Sequence, residues 1–256
     1  TTLLIFINGP FMSITGNPSD IYFRTGPMKV LIFTQHLHPM QTTAALRLNA
    51  LNKYLPEHGI KPVFVTPMPQ TTKAAAEYEA FETSEIIRVD CPKNWFQRVQ
   101  HKKVGTIIGK ASGAMVELLE NRLLLNPLRS LLNAALDYHD LENVDGAVAS
   151  GPSFALFGVC DAFSKKTGIP WVADYRDDWS SNEEVSRFLK FKYGIEKNLE
   201  KRYVSSASAF VSVSEYQRKK ISKVTSKDGF MVPNGFEENS VNIKAVNGQT
   251  GWRNGT

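Results

Sequence analysis

The sequence predicts an α/β protein: a doubly wound, mostly parallel sheet with helices on both faces. Three observations carry that class. Short apolar runs rich in β-branched residues recur along the chain. Helix-length segments lie between them, the alternation expected of a parallel sheet whose crossovers are helices. With 256 residues, of which 42% are apolar and 21% charged, the chain is long enough to bury a sizeable core.

The first strand is read at 29–34, directly after Met28, which has the position of an initiator. Residues 1–27 carry turn residues throughout and no clear periodicity, so they read as an upstream, poorly ordered extension. Thr42 or Thr43 then caps a helix running to about Leu55, where Pro56 and Gly59 stop it. Strands follow at 62–66 and 85–90, separated by a polar, Ala-rich helix over 73–82. Two helices are expected at about 103–125 and 127–139, with Pro127 suiting a helix start. The alternation resumes with strands at 147–150, 170–174, 209–213 and 230–232, and helices at 153–167, about 182–206 and 214–223. Right-handed crossovers make residues 28–236 one Rossmann-like domain. Residues 237–256, with four Asn, three Gly and little apolar content, read as an abrupt, truncated end.

Composition narrows function. The chain carries 30 basic and 25 acidic residues, a net +5. That balance suits a solvated surface or attraction to an anionic ligand. Two cysteines, Cys91 and Cys160, are too few for a disulfide scaffold or a four-thiolate zinc site and suit a reducing cytosol. A cytoplasmic location is therefore expected. No GxxxxGK[ST], GxGxxG, HExxH, CxxC or GxSxG is present, so P-loop, ordinary dinucleotide, zinc-hydrolase and serine-hydrolase chemistry have no support. No metal or cofactor is expected, and no nucleic-acid motif is present.

Ligands in such sheets bind at the carboxyl ends of strands, near the change in strand order. The loop after the first strand holds His36, His38, Thr42 and Thr43, with Arg47 one turn into the helix. Free N–H groups at that helix start form an anion site to which Arg47 adds charge. Ser150-Gly151-Pro152-Ser153 makes a tight strand-to-helix turn in which Ser153 caps the next helix. The segment 174–179 (DYRDDW) crowds Asp174, Arg176, Asp177 and Asp178 on one rim. Asp174 abuts a buried strand, where a carboxylate needs a partner. An Arg–Asp pair with helix capping accounts for much of this segment; binding of polyhydroxyl groups is the functional alternative. Asn234-Gly235 is a turn signal.

Taken in order, MKVLIFT (28–34), HGIKPVFVTP (58–67), SGPS (150–153), GIPWVADYRDDW (168–179), the long helix with Glu200, SAFVSVSE (208–215) and VPNGFE (232–237) resemble a known family. They resemble the acceptor-side, N-terminal lobe of family 4 glycosyltransferases with the GT-B fold. The resemblance spans about Met28 to Glu237. Two pieces depart from the family pattern: Gln41–Ala45 replaces a Gly-rich loop, and Ser153-Phe154 stand where many relatives have Pro and His.

The resemblance implies a retaining, metal-independent transfer of a sugar from a nucleoside diphosphate sugar to a saccharide or lipid-linked acceptor. It implies that Thr42, Thr43 and Arg47 face the donor phosphates. Asp174, Arg176 and Asp177 would line the acceptor side, with Ser150 and Gly151 opposite. Asn234 and Gly235 would be the hinge to a donor-binding lobe, and about twenty further residues are too few to form one. No single catalytic base is implied. A stretch from Lys93 to Lys110 is basic, aromatic and free of acidic residues, which would suit peripheral contact with an anionic membrane. The competing reading is a non-catalytic α/β binding module or an inactive remnant.

Overall fold

The computed structural model describes residues 26–37, 43–68, 84–91, 127–180 and 190–235. The expected extension at 1–27 except its last two residues, the helices at 73–82 and 103–125, the basic stretch 93–110, Thr42 and the segment 237–256 lie outside the described residues. Seven strands form one sheet: β1 (Met28–Phe33), β2 (Ile60–Pro67), β3 (Glu85–Val89), β4 (Gly146–Ser150), β5 (Trp171–Tyr175), β6 (Ala209–Ser212) and β7 (Gly229–Met231). Their order is β3-β2-β1-β4-β5-β6-β7, and every pairing is parallel. The expected "mostly parallel" sheet is thus parallel throughout its described strands. The described helices are α1 (Thr43–Tyr54), α2 (Arg129–Leu136), α3 (Ala155–Thr167), α4 (Lys190–Ser205) and α5 (Glu215–Thr225). None is long and apolar enough to cross a membrane.

Strand periodicity sends alternate residues to opposite faces, and the two faces carry different helices. Leu31, Phe33, Val63, Val65, Ala147, Ala149, Trp171, Ala173, Tyr175 and Phe210 pack against α2, α3, α4 and Ile221 of α5. Val30, Ile32, Ile60 and Phe64 pack against Leu48 and Leu55 on the other face, beside α1. Right-handed crossovers demand this segregation: steps to one side of β1 put the helix on one face, and steps to the other side reverse it. The larger layer is aromatic. Phe157 meets Tyr175 edge-on at 4.8 Å, and Tyr175 meets Phe210 at 5.8 Å.

Several boundaries depart from the sequence reading. β5 runs one residue later than expected, because Pro170 has no N–H for the ladder and contributes only its carbonyl, to Ala147 N–H at 2.9 Å. Asp174 therefore lies inside the strand, one residue before its end. Ser153 does not cap α3. The first turn closes through the carbonyls of Ser153 and Phe154, which accept from the N–H groups of Leu156 and Phe157, and Phe154 at the N-cap makes no side-chain cap. The helix expected over 127–139 is helical only from Arg129 to Leu136, because Tyr138 turns aside to donate to Glu85 Oε2 at 2.8 Å. By contrast, Ser214 caps α5 as an N-cap should, accepting from Gln217 N–H at 3.2 Å.

Candidate functional site at the carboxyl edge

The order of strands reverses direction at β1, so the crevice of this sheet opens between the ends of β1 and β4, with β5 next along. Phe33 is in register with Ala149, and Ser150 with Asp174. The three strand tips expected to share a cleft therefore stand side by side. After β1, Thr34 turns the chain: its Oγ1 accepts from His36 N–H at 3.0 Å and donates to His36 carbonyl at 3.2 Å. That local pairing holds His36 at the edge.

Asp174 is the centre of the arrangement. Its side chain points to the α1 face, as does that of Ser150, because both lie one residue away from the aromatic layer's Ala149 and Ala173. Ser150 Oγ donates to Asp174 Oδ2 at 2.8 Å. Arg47 Nη2, from α1, pairs with Oδ1 at 3.2 Å. The other terminal nitrogen of Arg47 donates to the carbonyls of Val232 and Pro233 and to Asn234 Oδ1, at 3.2, 3.4 and 3.3 Å. One planar guanidinium thus ties α1, β5 and the segment after β7, which its fixed fork of donors allows. Side-chain exposure of 11% and 6% for Arg47 and Asp174 puts the pair largely out of water. Both oxygens of Asp174 are occupied, which makes it an organiser of the edge.

Around this pair the rim is uneven. Asp177 is exposed, while Asp178 faces Lys220 of α5 at 3.5 Å. Arg176 is half-buried; its Nε and Nη1 are enclosed without a hydrogen-bond partner, as is Nδ1 of His36. Burial lowers the pKa of Arg176, with Arg47 adding to it while Asp174 and Asp177 oppose it. Burial, reinforced by Arg176, also lowers the pKa of His36. Below this rim Trp179 stacks on Phe154 at 4.9 Å, 3° from parallel. Glu200 of α4, fully buried, accepts from Tyr175 hydroxyl at 2.9 Å, from Ser180 N–H at 3.2 Å and from Ser180 Oγ. The loop 176–180 is thereby held at both ends. Among the described residues no group of three His, Cys, Asp or Glu side chains is placed to hold a metal ion.

The structure brings together Arg47, Ser150, Asp174 and Asn234, which the sequence reading had distributed among donor, acceptor and hinge roles. Gly151 joins them through its N–H, which donates to Asp174 carbonyl at 3.0 Å. Arg176 and Asp177 follow on the rim, and Gly235 follows Asn234. Thr43 begins α1. Asp174 does have the partner that its burial requires, but that partner is Arg47, 127 positions earlier, and not the adjacent Arg176. The Glu200 network and the Phe154–Trp179 stack were not foreseen; the glutamate inside an apolar helix face was the available signal.

The depressed pKa of His36 has a measurable consequence. The unfolded chain binds a proton on this residue at higher pH than the folded one, so stability rises with pH across the window from the folded value up to about 6.5. Glu200 works in the opposite sense, because burial raises its folded pKa. Subtracting the profile of His36→Gln from that of wild type isolates the first effect. Urea unfolding between pH 5 and pH 8 should show a shallower acid-side loss in the variant. An unchanged profile would show that His36 is not enclosed.

No family model matches this chain, and no curated protein matches it. Solved structures do. Anabaena Alr3699/HepE, crystallised in complex with UDP and glucose, aligns at 14% identity and a TM-score of 0.47, covering 83% of this chain and 46% of that one. Arabidopsis thaliana UGT89C1 complexed with UDP-L-rhamnose aligns at 12% identity and a TM-score of 0.42, covering 77% and 44%. A putative UDP-N-acetylglucosamine 2-epimerase from Listeria monocytogenes gives 12% identity, a TM-score of 0.40, and coverage of 77% and 42%. The chain spans less than half the length of each. All three superpositions are loose, and the chemistry of the edge rests on this chain's own residues.

Proposed function

We propose that this chain is the acceptor-side lobe of an enzyme that moves a sugar from a nucleoside diphosphate sugar to a hydroxylated acceptor. One observation supports the reading most: the motif residues Arg47, Ser150, Gly151, Asp174 and Asn234, separated widely in sequence, meet at the carboxyl edge beside the change in strand order. In this reading Asp177, exposed and outside the Arg47 pair, accepts hydrogen bonds from acceptor hydroxyls. Asp174 acts as a positioning residue, holding Arg47 and Ser150 in place. Thr42, Thr43 and Arg47 would face the donor phosphates, where fixed positive groups stabilise the departing diphosphate without a metal. Configuration at the transferred carbon is retained. The Asn234-Gly235 turn leads to a second lobe that holds most of the donor, and closure of the two lobes excludes water. The acceptor is a saccharide, free or lipid-linked, and the basic stretch 93–110 would bring the enzyme to the cytoplasmic face of an anionic membrane.

Saturation-transfer NMR on the 256-residue chain with a panel of neutral and acidic saccharides tests the reading. Signals from at least one saccharide, lost in Asp177→Ala while the urea midpoint stays put, are expected. A folded wild-type chain that gives no signal with any saccharide would sink the acceptor-side assignment. With radiolabelled UDP-glucose the chain by itself should give no turnover, and measurable transfer would overturn the two-lobe arrangement.

A further inference from the structure

We infer that Arg176 and His36 form an anion-binding subsite at the carboxyl edge, which recognises a carboxylate or phosphate group on the acceptor. As a statement about the acceptor, this rests on the sugar-transfer reading above; as an anion site it does not.

The argument begins with what Arg176 lacks. Its Nε and Nη1 are enclosed and make no hydrogen bond, and no ion pair joins it to a described carboxylate. An enclosed N–H without an acceptor is costly, and more so when the group is charged. Most enclosed polar groups of folded proteins are paired. The nearest candidates are already committed or turned away. Both oxygens of Asp174 are taken, by Arg47 and Ser150. Asp178 faces Lys220. Asp177 is exposed and, though close enough to act on Arg176 electrostatically, makes no hydrogen bond to it.

A second unpartnered nitrogen stands nearby. His36 Nδ1 is also enclosed and without a partner. The Thr34 turn holds this residue just beyond β1, while Arg176 directly follows β5. These strands are separated only by β4, so their tips are about 10 Å apart at the usual strand spacing. An anion between them would receive donors from two sides. A guanidinium that makes no hydrogen bond in the free protein keeps its fork of donors uncommitted, the fork that matches a planar or tetrahedral oxyanion. The cost of leaving it unpaired is then repaid on binding.

The test is a titration of the 256-residue chain with glucose, glucuronate, glucose 6-phosphate and inorganic phosphate. Affinity is read by calorimetry, and the Arg176 Nε–H and His36 ring signals by NMR. Glucuronate or glucose 6-phosphate should bind at least about tenfold more tightly than glucose and shift the Arg176 signal. Which of the two wins identifies a carboxylate or a phosphate as the natural group. Arg176→Gln should abolish the preference, and Arg176→Lys should keep part of it. If both variants fail to fold, the wild-type Arg176 signal still decides. Equal binding of glucose and glucuronate, with the Arg176 signal unmoved, would overturn the subsite while leaving the saccharide reading intact. Inorganic phosphate that shifts Arg176 when no saccharide binds would uphold the subsite and remove the saccharide reading. No shift from any of the anions would overturn the subsite outright.

Discussion

Replacing Asp174 with asparagine should cost the chain about 3–5 kcal/mol of stability, measured by urea unfolding. The substitution preserves shape and removes charge, so Arg47 would be left as an uncompensated cation at 11% exposure. Ser150 would keep an acceptor, which confines the loss mainly to the ion pair. Arg47→Met should also be destabilising, since Asp174 then loses its counter-charge and three acceptors after β7 lose their donor. The double variant should be less damaged than the sum of the singles by about 1–3 kcal/mol, because no lone buried charge remains. Strict additivity would show that the two side chains do not interact. Arg47→Met carries a second signature: amide exchange at 232–235 should accelerate, since one guanidinium anchors that segment to α1 and β5.

The other large effect is expected at Glu200. Glu200→Ala should cost about 3–5 kcal/mol, combining a cavity with the loss of an acceptor for the Tyr175 hydroxyl and for both donors of Ser180. Glu200→Gln should be much milder, because a neutral amide keeps an acceptor and avoids burying charge. The contrast between glutamate and glutamine should depend on pH. Burial raises the Glu200 pKa above 4.5, so the folded state binds its proton more tightly than the unfolded state does. The stabilising contribution is complete below about 4.5 and is lost as pH rises through the folded value. Wild type should therefore lose ground against Glu200→Gln between pH 4 and pH 8. A constant difference would mean that the Glu200 carboxyl titrates alike in the folded and the unfolded chain. In the alanine variant the near-UV signal of Trp179 should weaken, because Ser180 no longer holds its loop against α4.

Legibility followed the range of the forces involved. Strands such as Met28–Phe33 and Ala209–Ser212 were readable because apolar runs act between neighbours in the chain. The segment 174–179 was recognisable as a charged rim for the same reason. The partner of Asp174 was not, because adjacency favours Arg176 on paper while the pleat decides otherwise. Asp174 belongs to the strand and faces α1, whereas Arg176 lies beyond the last ladder pair, Tyr175↔Ser212.

By itself the sequence determined an α/β chain with a parallel sheet, a crevice edge rich in Ser, Asp and Arg, and a resemblance to a sugar-transferring lobe. The fold class and the charged edge follow from local composition and periodicity; the resemblance rests on the order of its motifs. Tertiary structure alone decided which charges neutralise each other and which stay available. Pairing across 127 positions depends on strand order and on the face to which each side chain points. Those are properties of the packed sheet, where excluding water makes one choice of partner far more favourable than the rest.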